Sequence, residues 1–193
     1  MYIVKTVICI QHTLIIDYQE RLFPANQSAY RRFHSTETAF LSTSIRYCYG
    51  IKDWKNNVIS LLDTSEAFDT VDHALLLSKL EQCYGICEKV YDLISSYLKD
   101  RSQTVHYQSS NSSRRVLKYG VPQGSVLGPV LFLHYTGEIN HVIEQYSLRS
   151  QCYADYCQVH SSCQPDKKDE FIKSTLICIE GFSLWMASNR LGS

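Results

Sequence analysis

Three short segments carry residue types that do chemistry in combination. In Leu62-Asp63-Thr64-Ser65-Glu66-Ala67-Phe68-Asp69-Thr70-Val71-Asp72, a carboxylate follows directly on the apolar run Val58-Ile59-Ser60-Leu61-Leu62. An acid at the rim of a sheet is free to hold a hard cation, for which carboxylate oxygen is the preferred ligand. A lone strand-end Asp serves equally well as a turn cap, and Asp69 and Asp72 read as a turn and a helix cap before His73 rather than as ligands. The second segment, Cys152-Tyr153-Ala154-Asp155-Tyr156, sets an acid in a tight turn between apolar runs, where Asp is also a common turn residue. The third, Tyr119 to Pro129, holds three Gly and two Pro in eleven residues. It makes a shaped loop that a planar group or a backbone can approach closely. It has neither the Lys of a P-loop nor the spacing of a dinucleotide fingerprint, so a phosphate cradle has little support. Cys152, Cys157, His160 and Cys163 offer the ligand types of a zinc module, but their spacing is irregular and two of them fall in core strands.

The elements that position these segments follow from periodicity. Val58–Leu62 reads as a buried strand ending at Asp63. His73 to Gln82 reads as a helix, and Glu88 to Leu98 as a second, amphipathic one with Val90, Leu93, Ile94 and Tyr97 on one face. Thr104–Gln108 and Arg115–Tyr119 flank a Ser/Asn turn as a hairpin does. Val130 to Gln145 resumes as a helix. Leu148–Tyr153 and Cys157–His160 read as strands joined by a tight turn at Ala154-Asp155-Tyr156, and Phe171 to Asn189 closes as an amphipathic helix. Residues 1–57 are mixed and poorly periodic. Interleaved helices and strands with a hairpin predict an α+β fold, an antiparallel sheet with helices on one face.

The 193 residues and 22.2 kDa suffice for a sizeable core, and 45% hydrophobic with 20% charged residues excludes disorder. Nineteen basic residues balance nineteen acidic ones, which disfavours binding to nucleic acid by bulk charge but leaves room for a local basic stripe. Eight cysteines match no common disulfide framework and read as free core thiols in a reducing compartment. Met1 to Ile16 is apolar but interrupted by Lys5, Gln11 and His12, too short and broken for a membrane span and a poor signal peptide.

Taken together, the three segments resemble the palm of a reverse transcriptase of the non-long-terminal-repeat (LINE-type) retrotransposon family. The matching text runs from Gln27-Ser28-Ala29-Tyr30-Arg31 and His34-Ser35-Thr36-Glu37-Thr38-Ala39 through Leu62 to His73, then Tyr97 to Gln103. It continues through Tyr119 to Pro129 and Tyr153-Ala154-Asp155 to Trp185-Met186-Ala187-Ser188-Asn189-Arg190-Leu191. The resemblance implies a ferredoxin-like palm, residues 58–193, preceded by a partial fingers region, residues 1–57, with the thumb missing. It implies an RNA-directed DNA polymerase that aligns a primer 3′ hydroxyl and a deoxynucleoside triphosphate with two Mg²⁺ ions, Mn²⁺ being a substitute. Asp63 and Asp155 then match the catalytic, metal-binding carboxylates, with the carbonyl of Thr64 assisting. Phe68 takes the aromatic position that screens the sugar 2′ carbon, and Gln123 and Gly124 lie where the loop touches the templating pair. Arg31, Arg32, Arg114, Arg115 and Lys118 are the implied backbone contacts. The partners implied are an RNA template, a DNA primer and deoxynucleotides, in the nucleus or cytoplasm, with no membrane; no protein partner follows.

Three departures from the family pattern bear on activity. Tyr156 replaces the second Asp of the turn, and losing a metal ligand costs several kcal/mol of transition-state stabilisation, roughly 10²-fold in rate. Met1 to Glu20 stands where an Arg-Pro-Ile segment precedes the Gln27–Arg31 text. The chain is also expected to lack the remaining palm strands, the thumb and an endonuclease domain. Two expectations follow: an impaired polymerase fragment, or a catalytically silent retroelement remnant that at most binds nucleic acid.

Overall fold

The computed structural model describes residues 26–31, 33–52, 56–64 and 67–191. Met1–Glu20 and Arg32 lie outside them. In chain order the elements are α1 (Thr36–Lys52), β1 (Asn56–Asp63), α2 (Ala67–Thr70), α3 (His73–Gln82) and α4 (Glu88–Leu98). Four short strands follow: β2 (Ser102–Gln103), β3 (His106–Tyr107), β4 (Ser110–Asn111) and β5 (Arg115–Val116). Then come α5 (Leu127–Thr136), α6 (Ile139–Glu144), β6 (Arg149–Tyr153), β7 (Tyr156–Cys163), a 3₁₀ turn at Pro165–Lys167 and α7 (Lys168–Ser188). The described residues form two compact units, one from residues 26–67 and 136–191, the other from 68–135.

The first unit is built on an antiparallel sheet of order β1–β7–β6. Successive side chains in a strand point to opposite faces, so the register sorts them. Leu62, Cys157 and Cys152 align across the sheet, as do Ser60, Val159 and Ser150. This face packs against Ile139 and Ile143 of α6 and Cys178 and Phe182 of α7, with Leu148, Tyr146 and Trp185 closing the core. The opposite face carries Ile59, Leu61 and Asp63 from β1, Tyr156, Gln158 and His160 from β7, and Arg149, Gln151 and Tyr153 from β6. Helix α1 lies over part of that second face, where Arg46 Nη1 stands 3.2 Å from His160 Nε2. Within residues 58–193 the helices packed on this sheet, α6 and α7, lie on one face as expected; the helix on the other face, α1, comes from residues 1–57. Strand β1 is not a fully buried strand: Ile59 is 44% and Leu61 72% exposed, because the cover over their face is partial.

Helix α1 went unread in the sequence for a physical reason. It buries small residues, Ala39 and Thr43, and exposes Phe40, Leu41, Ile45 and Ile51, so it has no inward apolar stripe. Its start is set by a reciprocal cap. The Thr38 N–H donates to Ser35 Oγ at 3.2 Å and the Ser35 N–H to Thr38 Oγ1 at 2.8 Å.

The described cysteines are free thiols, of which Cys152, Cys157 and Cys178 lie in the core. A hydrogen bond with Cys157, together with burial, holds Cys152 well above the usual thiol range. The pleat excludes the zinc reading, since Cys152 and Cys157 face the core and His160 faces the other way.

In the second unit α3 and α4 span the expected residues, and Asp72 caps α3 by accepting the Leu75 N–H at 2.9 Å. The expected hairpin is two nested ladders, β3–β4 inside β2–β5. The helix expected over 130–145 is two helices, α5 and α6, with the break at Gly137, where the backbone is least inclined to continue helical. No helix among the described residues is long and apolar enough to cross a membrane.

The two faces of the sheet should respond differently to truncation. Phe182→Ala is expected to destabilise the chain by about 3–5 kcal/mol. Leu61→Ser should fall within about 0.5 kcal/mol of the natural chain. Urea unfolding of both variants checks the assignment of faces.

Candidate active site

Strand β1 ends on Asp63, directly opposite Tyr156 of β7, which pairs with Tyr153 of β6. Ala154 and Asp155 form the turn between those tyrosines. Both acids thus stand at one end of the sheet, one on a strand terminus and one in the adjoining turn. Asp63 is the last residue of the strand, not the first beyond it.

Thr64 fastens these two segments together. It is buried, and both its N–H (3.2 Å) and its Oγ1 (2.7 Å) donate to the carbonyl of Asp155. Two donors on one acceptor fix the turn backbone to the end of β1. The Thr64 carbonyl accepts the Ala67 N–H at 2.7 Å and keeps a second lone pair. Asp63, Asp155 and this carbonyl are oxygen donors suited to a hard divalent cation. Among the described residues no group of three or more His, Cys, Asp or Glu is placed to hold a metal.

The turn itself is strained. Ala154 has φ +55°, in the left-handed region that costs an L-residue about 1–2 kcal/mol. Gln27 holds it there. This buried side chain accepts the Ala154 N–H at 3.1 Å and the Ala29 N–H at 3.0 Å through Oε1, and its Nε2 donates to the Ala154 carbonyl at 3.4 Å. The backbone around Gln27 lies alongside β6, with the Cys152 N–H donating to the Asn26 carbonyl (2.7 Å) and the Ser28 N–H to the Cys152 carbonyl (2.9 Å). Gln151 Nε2 adds bonds of 2.9 Å to the Asn26 carbonyl and to Ser28 Oγ. Sequence reasoning quoted Gln27 without giving it a role, because a single Gln in a loop carries no periodic signal.

Neighbouring side chains complete this end of the sheet. Burial, then the charge of Asp155, then Tyr153 raise the pKa of the Tyr30 phenol. Arg31 turns inward, its Nη1 donating to the Gln27 carbonyl at 3.0 Å. Tyr156 is 58% exposed and shares the face of Asp63.

The other unit contains the remaining candidates. Phe68 stacks on Phe132 with ring centroids 4.0 Å apart at 14°. The glycine-rich loop is laced to the segment after Phe68, the Gly120 N–H donating to the Val71 carbonyl and the Val121 N–H to the Phe68 carbonyl, each at 2.8 Å. Such close approach requires glycine: a Cβ at Gly120, where φ is +87°, would stand 2.9 Å from the Asp69 carbonyl oxygen. Gln123 and Gly124 are exposed on the same loop, and Gln123 Nε2 reaches Asp69 Oδ1 at 3.5 Å. Gln123 borders a cleft of about 540 Å³ shared with Arg101 and Tyr119. Arg114, Arg115 and Lys118 are exposed on and after the short ladders, Arg114 Nε donating to Ser102 Oγ at 2.7 Å. The structure therefore gathers Asp63, Thr64, Asp155 and Arg31 in one unit, and Phe68, Gln123, Gly124, Arg114, Arg115 and Lys118 in the other.

Comparison with known proteins gives this arrangement its family. Residues 4–190 match the family model described as reverse transcriptase (RNA-dependent DNA polymerase). The probable RNA-directed DNA polymerase from transposon BS of Drosophila melanogaster is 36% identical over 123 residues, 63% of this chain and 13% of the relative. That from transposon X-element of the same fly is 32% identical over 152 residues, 76% of this chain and 16% of the relative. The RNA-directed DNA polymerase from mobile element jockey of Drosophila funebris is 37% identical over 78 residues, covering 40% and 8% of the two chains. The chain thus spans a small part of the length of these relatives. It belongs to the reverse transcriptase (RNA-dependent DNA polymerase) family, on its LINE-type, non-long-terminal-repeat branch.

Proposed function

We propose that this chain is the nucleotidyl-transfer portion of a retrotransposon RNA-directed DNA polymerase, residues 58–193 serving as palm and residues 1–57 as part of the fingers. The observation that carries the reading is the double hydrogen bond from Thr64 to the Asp155 carbonyl, which holds the two acid-bearing segments side by side. In this reading Asp63, Asp155 and the Thr64 carbonyl bind the divalent metal, Mg²⁺ or in its place Mn²⁺. A metal held there would supply the charge neutralisation and the alignment of primer 3′ hydroxyl and triphosphate that phosphoryl transfer needs. Asp63 and Asp155 would hold that cation at this end of the sheet, and Gln27 keeps Asp155 in place through the Ala154 backbone. Phe68, braced by Phe132, screens the sugar, while Gln123 and Gly124 meet the templating pair. Arg31, Arg32, Arg114, Arg115 and Lys118 take backbone phosphates of an RNA template and DNA primer. Residence is nuclear or cytoplasmic.

Tyr156 favours a second reading, a catalytically silent remnant. Its phenol stands opposite Asp63, where a further carboxylate would add negative charge for divalent cations.

Primer extension on an RNA template, with Mg²⁺ and then Mn²⁺, separates the two readings. The polymerase reading expects weak extension by the natural chain, a gain of about 10²-fold in Tyr156→Asp and none in Asp63→Ala. Inert natural and Tyr156→Asp chains would leave the silent reading standing. The role of Gln27 is tested without activity. Gln27→Ala strands the Ala154 N–H and should cost about 1–3 kcal/mol in urea unfolding. Amide exchange at Ala154 and Thr64 should quicken in that variant while exchange in α3 stays unchanged.

A further inference from the structure

The far end of the sheet from Asp63 holds a cavity of about 390 Å³ between α1 and the second face, a volume typical of small-ligand sites. Arg46 of α1 and Arg149 of β6 both line it, and none of its lining residues is acidic. Among the described residues neither guanidinium meets a carboxylate. Arg46 is held in place by His160, 8% exposed at the cavity wall, whose Nε2 lies 3.2 Å from Arg46 Nη1. A guanidinium only donates, so Nε2 accepts and the ring proton sits on Nδ1. Burial, then Arg46 and Arg149, lower the His160 pKa, against a smaller opposing hydrogen bond with the Gln158 backbone. The wall thus carries two guanidinium groups and no acidic side chain, which suits it to an oxyanion. Tyr47 and Tyr49, 42% and 64% exposed, flank the same opening and offer rings on which a base can stack.

We infer that this cavity binds a nucleotide phosphate, with Arg46 and Arg149 on its oxygens and Tyr47 or Tyr49 against the base. The inference extends the polymerase reading by giving nucleic acid a second foothold on the face that carries Asp63. Ile59, which pairs with His160, lies four residues from Asp63, about 13 Å along the strand. The phosphate comes either from a single strand or from a free nucleotide.

Fluorescence anisotropy of a labelled oligothymidylate of about twelve nucleotides tests the site on the natural chain. Arg149→Gln should weaken binding about tenfold and reduce the salt slope by about one, with Arg149→Lys in between because charge survives but the bidentate fork does not. Lys173→Gln removes the same charge from an exposed position of α7 and should change binding less than about twofold. Circular dichroism should be the same for all variants. Displacement of the oligonucleotide by thymidine monophosphate assigns the site to free nucleotides; resistance to it assigns the site to strand phosphates. Equal losses in Arg149→Gln and Lys173→Gln, or no loss in either, would overturn the inference. Asp63→Ala should bind the oligonucleotide normally while failing to extend a primer, so this site and the polymerase reading can fail separately.

Discussion

The geometry of this chain rests on one register, that of β1 against β7. Because side chains alternate, the pairing that seats Leu62 with Cys157 on the core face also turns Asp63 outward beside Tyr156. A slip of one residue would drive Asp63 into the cluster around Phe182 and expose Leu62. Burying an unpaired carboxylate costs far more than any local rearrangement returns. The apolar core on α6 and α7 therefore enforces the position of the acid from the other side of the sheet. Thr64, next in the chain, converts that register into a fixed distance by clasping the turn that holds Asp155.

The remaining supports are mostly backbone to backbone or side chain to backbone. Asn26 and Ser28 pair with Cys152, Gln27 brackets Ala154, and Gly120 lies against the segment after Phe68. Such contacts depend on where the main chain runs more than on which side chain it carries, so they tolerate wide surface drift. Substitution at Tyr156 illustrates the converse: the turn retains its backbone scaffold while the chemistry displayed on it changes.

Legibility in the sequence varied with the kind of force that shapes each element. Helices α3 and α4 were readable because each is local: Asp72 caps one, and a single apolar face runs along the other from Val90 to Tyr97. The β6–β7 turn was readable from two apolar runs around Ala154-Asp155. Helix α1 was not, since its large apolar residues point outward and its capping pair, Ser35 and Thr38, substitutes a hydroxyl for the usual acid. The half-open face of β1 was also missed, because Ile59 and Leu61 have the composition of a buried strand and only the partial cover leaves them in solvent. The candidate residues were found through the pattern of whole segments; the part played by Gln27 emerges only from its bonds to residues more than a hundred positions away.

The outward-facing apolar residues of α1 and β1 also set how the chain behaves in bulk. Phe40, Leu41, Ile45, Ile51, Ile59 and Leu61 leave greasy surface in water, and nineteen positive charges cancel nineteen negative ones at an isoelectric point near 7.0. Sticky patches without net repulsion favour self-association. Colloidal stability is therefore poorest around neutral pH and improves as buffer acidity moves away from it in either direction.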